Sequence, residues 1–201
     1  MKREENMKYY KEYLLKNGKT LIVRSPEEDD AEEIMSLVKT ADTETRYLSR
    51  EPGEFNYSLE DEKLIIQNKK SAENTLWTIS IVDNKIVGMA ETRYNNKKSR
   101  FRHKGNLGLF IIKKYWDMGI GGKLMLSHIE WSKQQNLELL LVEVVSDNQR
   151  AIDFYKSFGF DIVGTVDNGM KYSDGTYADE HTMVMHLKDT LYEDVGQIYT
   201  F

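Results

Sequence analysis

Glycines at a predicted junction between a strand and a helix are the first residues whose spacing suggests chemistry. Gly119, Gly121 and Gly122 follow an apolar run of strand length at residues 107–112 and precede a segment of helical character. Glycine has no Cβ, so backbone N–H groups can approach a ligand, and a helix N-terminus adds unpaired donors and the positive end of its dipole. The spacing predicts an anion-binding turn of the kind that holds phosphates.

Two known phosphate-binding motifs do not fit this turn. A P-loop requires glycine where the sequence has Asp117, and serine or threonine where it has Leu124. A dinucleotide-binding motif, G-x-G-x-x-G, requires its third glycine at the position of Leu124. A phosphate-binding turn of a third kind and an ordinary glycine-rich turn without a ligand remain.

A second group of residues follows a strand predicted at residues 137–145. It begins at Asn148, continues through Ala151 and Tyr155, and ends with Gly159 and Phe160. By periodicity alone this segment is an amphipathic helix with an asparagine N-cap and a core tyrosine. Spacing by itself therefore favours a structural role for both Asn148 and Tyr155.

Together, the two groups resemble the signatures of the GNAT N-acetyltransferase superfamily. The acyl-CoA loop of that family, Q/R-x-x-G-x-G/A, is matched at Gly119 and Gly121, with Trp116 in place of glutamine or arginine. The family's N-x-x-A-x-x-F/L-Y-x-x-x-G-F signature is matched at every fixed position from Asn148 to Phe160. The resemblance extends over roughly residues 20–187.

The resemblance implies an α/β (α+β) fold. We expect a mixed, twisted, seven-stranded sheet with helices on both faces, in which the fourth and fifth strands, at residues 107–112 and 137–145, splay apart. The expected domain covers residues 19–188. A helical extension is predicted at residues 1–18, ending at Asn17-Gly18 as at a helix C-cap, and residues 189–201 are predicted to form a tail.

The resemblance also implies a site for acetyl-CoA as cosubstrate. Its pantetheine arm would bond the backbone at the end of the fourth strand, and its pyrophosphate would bind the glycine-rich turn. The implied cofactor-binding residues are Phe110, Ile111, Ile112, Trp116, Asp117, Met118, Gly119, Ile120, Gly121, Gly122, Lys123 and Asn148. Tyr155 would protonate the departing thiolate.

The identity of the general base is undecided between two candidates, Glu91 and Glu143, each of which lies on a predicted strand. His103 is an alternative proton relay, although a solvated hairpin histidine is the simpler interpretation. The other histidines have no metal-ligand spacing, and no metal is expected.

The implied activity is direct transfer of acetyl from acetyl-CoA to a primary amine. The acceptor would be a small molecule, such as a polyamine, an amino acid or an aminoglycoside-like compound, or else a protein or peptide. The alternative is a catalytically silent acyl-CoA-binding regulatory module. Family members are often homodimers, so the resemblance leaves a homodimer open.

Composition narrows the class of protein further. The 201 residues include 28 Lys and Arg, 33 Asp and Glu and no cysteine, for a net charge of −5. This charge argues against nucleic acid as a partner, and the absence of cysteine excludes disulfides and thiolate metal sites. The N-terminal residues lack the apolar core of a signal peptide, and no uncharged apolar run approaches the ~18 residues of a membrane span. We therefore expect a soluble, cytoplasmic protein without a membrane partner.

Overall fold

The structure is a computed structural model that describes residues 8–187. Its strands form one mixed sheet in the order β1-β2-β3-β4-β5-β6-β8-β7. The strands are β1 (Tyr10–Leu14), β2 (Thr20–Arg24), β3 (Thr75–Val82), β4 (Lys85–Tyr94), β5 (Lys104–Ile111), β6 (Leu139–Val145), β7 (Asp161–Lys171) and β8 (Tyr177–His186). The helices are α1 (Ala31–Glu44), α2 (Leu59–Ser71), α3 (Ile120–Gln134) and α4 (Gln149–Ser157). The predicted mixed α/β fold is confirmed, with eight described strands instead of seven.

The additional strand corrects the prediction for the N-terminal segment. The helix predicted within residues 1–18 is wrong over Tyr10–Leu14, which pair antiparallel with β2; residues 1–7 lie outside the described part. Gly18 has φ 79° and its N–H donates to the carbonyl of Leu15, so Asn17-Gly18 lies in a hairpin turn. Asn-Gly is also a strong hairpin signal. Pairing with β2 therefore decided the conformation against the local helical pattern.

The chain divides into two compact units. The first contains the residues up to Arg93 together with Leu109–Trp131. Within it, alternate residues of β3 point to opposite faces of the sheet, as a strand requires. Val82 belongs to a core cluster with Leu124 of α3, whereas Trp77 and Ile79 belong to a cluster with α1 and α2. The predicted arrangement of helices on both faces is present in this unit.

The second unit contains Tyr94–Gly108 and the residues from Ser132 onward. In it, β5 and β6 are parallel over three residue pairs, from Lys104↔Leu139 to Asn106↔Leu141. Strand β6 continues to Val145 and pairs antiparallel with β8 along its whole length. The short parallel register agrees with the predicted divergence of these two strands, which are the fourth and fifth strands of the sequence prediction.

Among residues 8–187, no helix has both the length and the apolar character that crossing a membrane requires.

Candidate functional site

The predicted anion-binding turn lies between β5 and α3 in the first unit. A 3₁₀ turn at Lys113–Tyr115 follows β5, and Asp117 and Gly119 then adopt left-handed backbone angles, with φ 60° and 78°. Such angles suit glycine and are tolerated by aspartate. They reverse the chain sharply, so that α3 begins at Ile120.

The first turn of α3 presents unpaired backbone donors. The N–H of Lys123 donates to the carbonyl of Gly119 at 3.3 Å, as in a regular α-helix. The N–H groups of Ile120, Gly121 and Gly122 precede this bond, so they have no acceptor within the helix. The first turn contains no acidic residue to neutralise the dipole. These donors suit a phosphate-bearing ligand, as the sequence predicted.

Trp116 departs from the glutamine or arginine of the family loop and has an identifiable contact. Its indole Nε1–H donates to the carbonyl oxygen of Ile111 at 2.6 Å. The N–H of Ile112 donates to the carbonyl of Val87 at 3.0 Å. The carbonyl of Ile111 and the N–H of Ile112, both expected to bond the pantetheine arm, therefore already have partners. The carbonyl oxygen retains a second lone pair that could accept another hydrogen bond.

Gly88 allows β4 and the end of β5 to lie close together. A Cβ at this position would lie 2.6 Å from the carbonyl oxygen of Phe110 and 2.8 Å from Cγ1 of Ile111. The sequence prediction did not single out Gly88, because its role depends on a strand more than 20 residues away. Phe110 and Ile112 pack against the core cluster formed with α1 and α2. The predicted pantetheine strand is thus positioned by a glycine on one side and a helix layer on the other.

Glu91, one of the two predicted bases, is engaged in an ion pair. Lys69 Nζ lies 2.5 Å from its Oε2 and 4.5 Å from the ring centroid of Trp77. The ammonium of Lys69 thus occupies the carboxylate that a base would have to present to the acceptor amine. This pairing makes Glu91 a weak candidate for the base.

Tyr155 and Asn148 both belong to α4 and its cap, in the second unit. Asn148 is the N-cap, and its Oδ1 accepts from the N–H of Ala151 at 3.3 Å. Tyr155 is 7% exposed, with ring centroids of Phe154 and Phe160 each 5.5 Å away. Burial raises the pKa of its phenol to about 12, so the group is protonated at neutral pH. No residue among 8–187 accepts a hydrogen bond from this hydroxyl. The hydroxyl could therefore donate its proton to a ligand.

Glu143, the other predicted base, is an exposed residue of β6 in the second unit. It faces Thr182 across the strand pair, and Glu180 lies nearby on β8. Burial and the charge of Glu143 both raise the pKa of Glu180. The structure therefore contains a pair of neighbouring carboxylates here, of which the sequence prediction named one.

His128 of α3 is a buried polar residue that the sequence prediction did not assign. Its Nε2 lies 2.9 Å from Oγ1 of Thr78, and its Nδ1 lies 2.8 Å from Oγ1 of Thr92. Full burial lowers the pKa of the imidazole to about 3, so the ring is neutral at physiological pH. The two threonines hold α3 against β3 and β4. No cluster of metal-ligating side chains occurs in the described part of the chain.

The family assignment comes from comparison with known proteins. The model of the family described as "Acetyltransferase (GNAT) family" matches residues 39–160, which is more than half of the chain and includes both predicted motifs. The chain belongs to the GNAT acetyltransferase family.

Two curated relatives of this GNAT chain are similar over about half of its length. L-amino acid N-acetyltransferase AaaT of Escherichia coli (strain K12) is 30% identical over 111 residues, covering 52% of this chain and 64% of the relative. Probable N-acetyltransferase san of Drosophila melanogaster is 32% identical over 107 residues, covering 52% of this chain and 56% of the relative. The chain thus matches less than two thirds of the length of either relative.

Solved structures support the GNAT fold over most of the chain. A GNAT-family acetyltransferase from Streptococcus pneumoniae is 26% identical, with a TM-score of 0.78, covering 83% of this chain and 99% of the other. YncA of Salmonella typhimurium, described as a putative acetyltransferase with its cofactor acetyl-CoA, is 15% identical, with a TM-score of 0.73, covering 85% of this chain and 96% of the other.

Proposed function

We propose that this GNAT protein transfers an acetyl group directly from acetyl-CoA to a primary amine. The observation that carries the proposal is the first turn of α3, where Ile120, Gly121 and Gly122 present N–H groups without intrahelical acceptors. A helix N-terminus of this kind favours the pyrophosphate of CoA. The presence of acetyl-CoA with YncA, which shares the fold, supports the choice of ligand.

The cofactor-binding set comprises three parts. The backbone of Phe110, Ile111 and Ile112 would pair with the pantetheine arm as an added strand does with a sheet edge. The turn from Trp116 to Lys123 would hold the pyrophosphate. Asn148, which caps α4, would contact the pantetheine arm through the part of its amide that the cap does not use.

Acetyl transfer to an amine sets three tasks for the protein. The amine must lose a proton before it can attack, since an alkylammonium has a pKa of about 10.4. The oxyanion that develops on the thioester carbonyl needs a hydrogen-bond donor, which a backbone N–H at the end of β5 supplies. The departing thiolate takes a proton, which the Tyr155 phenol supplies, because burial keeps it protonated at neutral pH.

The acceptor is an amine of a small molecule or of a protein. The name of the Escherichia coli relative makes amino acids a suitable first choice, and polyamines and aminoglycosides extend the range of primary amines. No metal ion is needed for the steps assigned here. Homodimer formation stays a prediction.

A second candidate function is an acyl-CoA-binding module without turnover. The observation that favours it is that Glu91 is paired with Lys69 and Glu143 is exposed, so neither predicted base is well suited to its task. Such a module would bind acetyl-CoA and leave the thioester intact.

One experiment distinguishes the two functions. Thiol release from acetyl-CoA is followed with a panel of primary amines, and CoA binding is measured by calorimetry. Amine-dependent thiol release supports the acetyltransferase and contradicts the silent module. CoA binding without release across the panel supports the module, and absence of CoA binding contradicts both.

A further inference from the structure

Glu62 of α2 is a buried residue, 3% exposed, whose carboxylate makes no hydrogen bond or ion pair in the described part of the chain. Burial raises the pKa of this carboxyl, and the charge of Lys69 opposes that effect. Burying an unpaired carboxylate is unfavourable, so a protein that keeps one there needs a reason other than stability.

Several other charged groups on and beside α2 have ion pairs or hydrogen bonds. Lys69 binds Glu91 of β4 at 2.5 Å, and Lys70 binds Glu27 at 2.9 Å. On the neighbouring α1, Asp42 is paired with Arg50 at 3.1 Å, and Glu33 accepts from the N–H of Ile86 at 2.9 Å. Glu62 differs from these groups because it is buried with no direct ion pair or hydrogen bond, and only the charge of Lys69 acts on it.

The position of Glu62 along the sheet follows from the contacts of α2. Residues 72–74 join α2 directly to β3, and so short a connection favours a helix that runs back antiparallel along that strand. Its C-terminal end is located by Lys69, which contacts both Trp77 and Glu91, and those two residues are cross-strand partners.

Glu62 precedes Lys69 by about two helical turns, over which the helix rises about 10.5 Å. A strand spans the same length in about three residues. Three residues beyond Trp77 is Ser80, whose partner on β4 is Gly88. From this spacing we infer that Glu62 is level with Gly88, on the helix layer of the sheet.

The end of β5 also approaches β4 closely at Gly88. The absent Cβ of Gly88 leaves room for the carbonyl of Phe110, and the side chain of Phe110 packs against the same cluster as Ile66, one turn beyond Glu62. In the proposed function, the thioester lies at the end of β5. The Glu62 carboxylate is therefore at the level of the reacting groups, on the side formed by α1 and α2.

We propose that Glu62 is the general base that accepts a proton from the ammonium group of the acceptor. This role rests on the proposed acetyltransferase function. Glu62 takes one proton from R–NH₃⁺ and later releases it to solvent. The neutral amine nitrogen bonds to the acetyl carbon, and the C–S bond breaks. The nitrogen then loses a second proton, which balances the proton that the departing thiolate takes up. The products are the amide, CoA thiol and one released proton.

The test compares Glu62→Gln with Glu60→Gln. Glu60 is an exposed residue in the same first turn of α2, so its substitution removes the same charge from the same helix. The rate of thiol release is measured between pH 6 and pH 10 with an amine that the wild-type protein acetylates. We expect Glu62→Gln to lower kcat at pH 7 by about 100-fold or more, with recovery at high pH as the amine loses its proton unaided. Glu60→Gln should retain the wild-type profile.

Two further measurements separate this role from a structural one. Acetyl-CoA affinity should be unchanged in Glu62→Gln, and its free energy of unfolding at neutral pH should not fall, because the amide removes the cost of burying a charge. If Glu62→Gln does not fold, Glu62→Asp keeps the carboxylate and should keep the acidic limb of the profile at a reduced rate.

The possible outcomes separate the role of Glu62 from the activity of the whole protein. Wild-type kcat and an unchanged acidic limb in Glu62→Gln would overturn the role of Glu62 while leaving the acetyltransferase in place. A loss of stability that matches the loss of rate would assign Glu62 to the fold and overturn its role as base. A wild-type protein that acetylates no amine would contradict the proposed function, and with it this role.

Discussion

The indole of Trp116 donates a hydrogen bond to the carbonyl oxygen of Ile111 and so closes the turn between β5 and α3 on itself. In the family loop this position is glutamine or arginine, and in this chain a residue with a single donor occupies it. The contact ties the end of the predicted pantetheine strand to the start of the predicted pyrophosphate turn.

Trp116→Phe tests what this contact contributes. The aromatic ring is largely retained, and the N–H donor is lost. We expect the free energy of unfolding to fall by about 1 kcal/mol, the usual net contribution of one hydrogen bond, and the affinity for CoA to fall because Ile111 is less well held. Urea unfolding and calorimetric titration measure the two effects. Unchanged values for both would mean that the contact has no role in positioning β5.

Gly121→Glu tests the anion-binding turn. A carboxylate and a Cβ would then occupy the first turn of α3, where phosphate oxygens are proposed to bind, and repulsion should weaken CoA binding by 10-fold or more, equivalent to ~1.4 kcal/mol. The matched control is Gln134→Glu, which adds the same charge at the exposed C-terminal end of the same helix. CoA affinity equal to wild type in a folded Gly121→Glu variant would reject the assignment.

His128 predicts how stability depends on pH. Its folded pKa of about 3 lies below the 6.5 of a solvated histidine, so the unfolded state binds a proton that the folded state does not. The contribution of the neutral imidazole to the free energy of unfolding is therefore complete above pH 6.5. This contribution is lost as pH falls toward 3, by up to about 1.4 kcal/mol per pH unit. Urea midpoints between about pH 7 and pH 4 measure this slope.

His128→Gln serves as the comparison, because its amide also offers one donor side and one acceptor side to Thr78 and Thr92 but does not titrate. The acid-induced loss in this variant should be smaller than in the wild-type protein. Equal slopes for the two proteins would show that the folded state takes up a proton on His128 as readily as the unfolded state does, and would contradict the lowered pKa.

Tyr155→Phe separates proton donation from packing. The ring contacts with Phe154 and Phe160 persist, so the fold should survive and acetyl-CoA affinity should change little. Loss of the phenolic proton should lower kcat and kcat/KM together, by ~10²–10⁴-fold. Single-turnover measurement is the better test, because slow product release can mask part of the effect. A wild-type single-turnover rate in the folded variant would show that the Tyr155 hydroxyl does not donate the proton and that the residue has only a structural role.

The sequence by itself determined those features that depend on residues close together in the chain. The glycine spacing predicted the turn before α3, and the segment from Asn148 to Phe160 predicted α4 with its asparagine cap. Alternation and helical periodicity predicted individual strands and helices, because each element records in its own residues which face is buried, whereas the mixed fold was implied by the family resemblance. The Asn17-Gly18 pair marked a real turn, although the local pattern predicted a helix before it where the structure has a strand.

Tertiary structure decided the features that depend on partners far apart in the chain. β1 is a strand because β2 offers it backbone partners, and Gly88 is needed because Phe110 lies against it. The same holds for the neutral state of His128 and the burial of Glu62, since burial arises only when distant segments pack together. A proton affinity is set by the surroundings of a group in space, and no local pattern of residues specifies those surroundings.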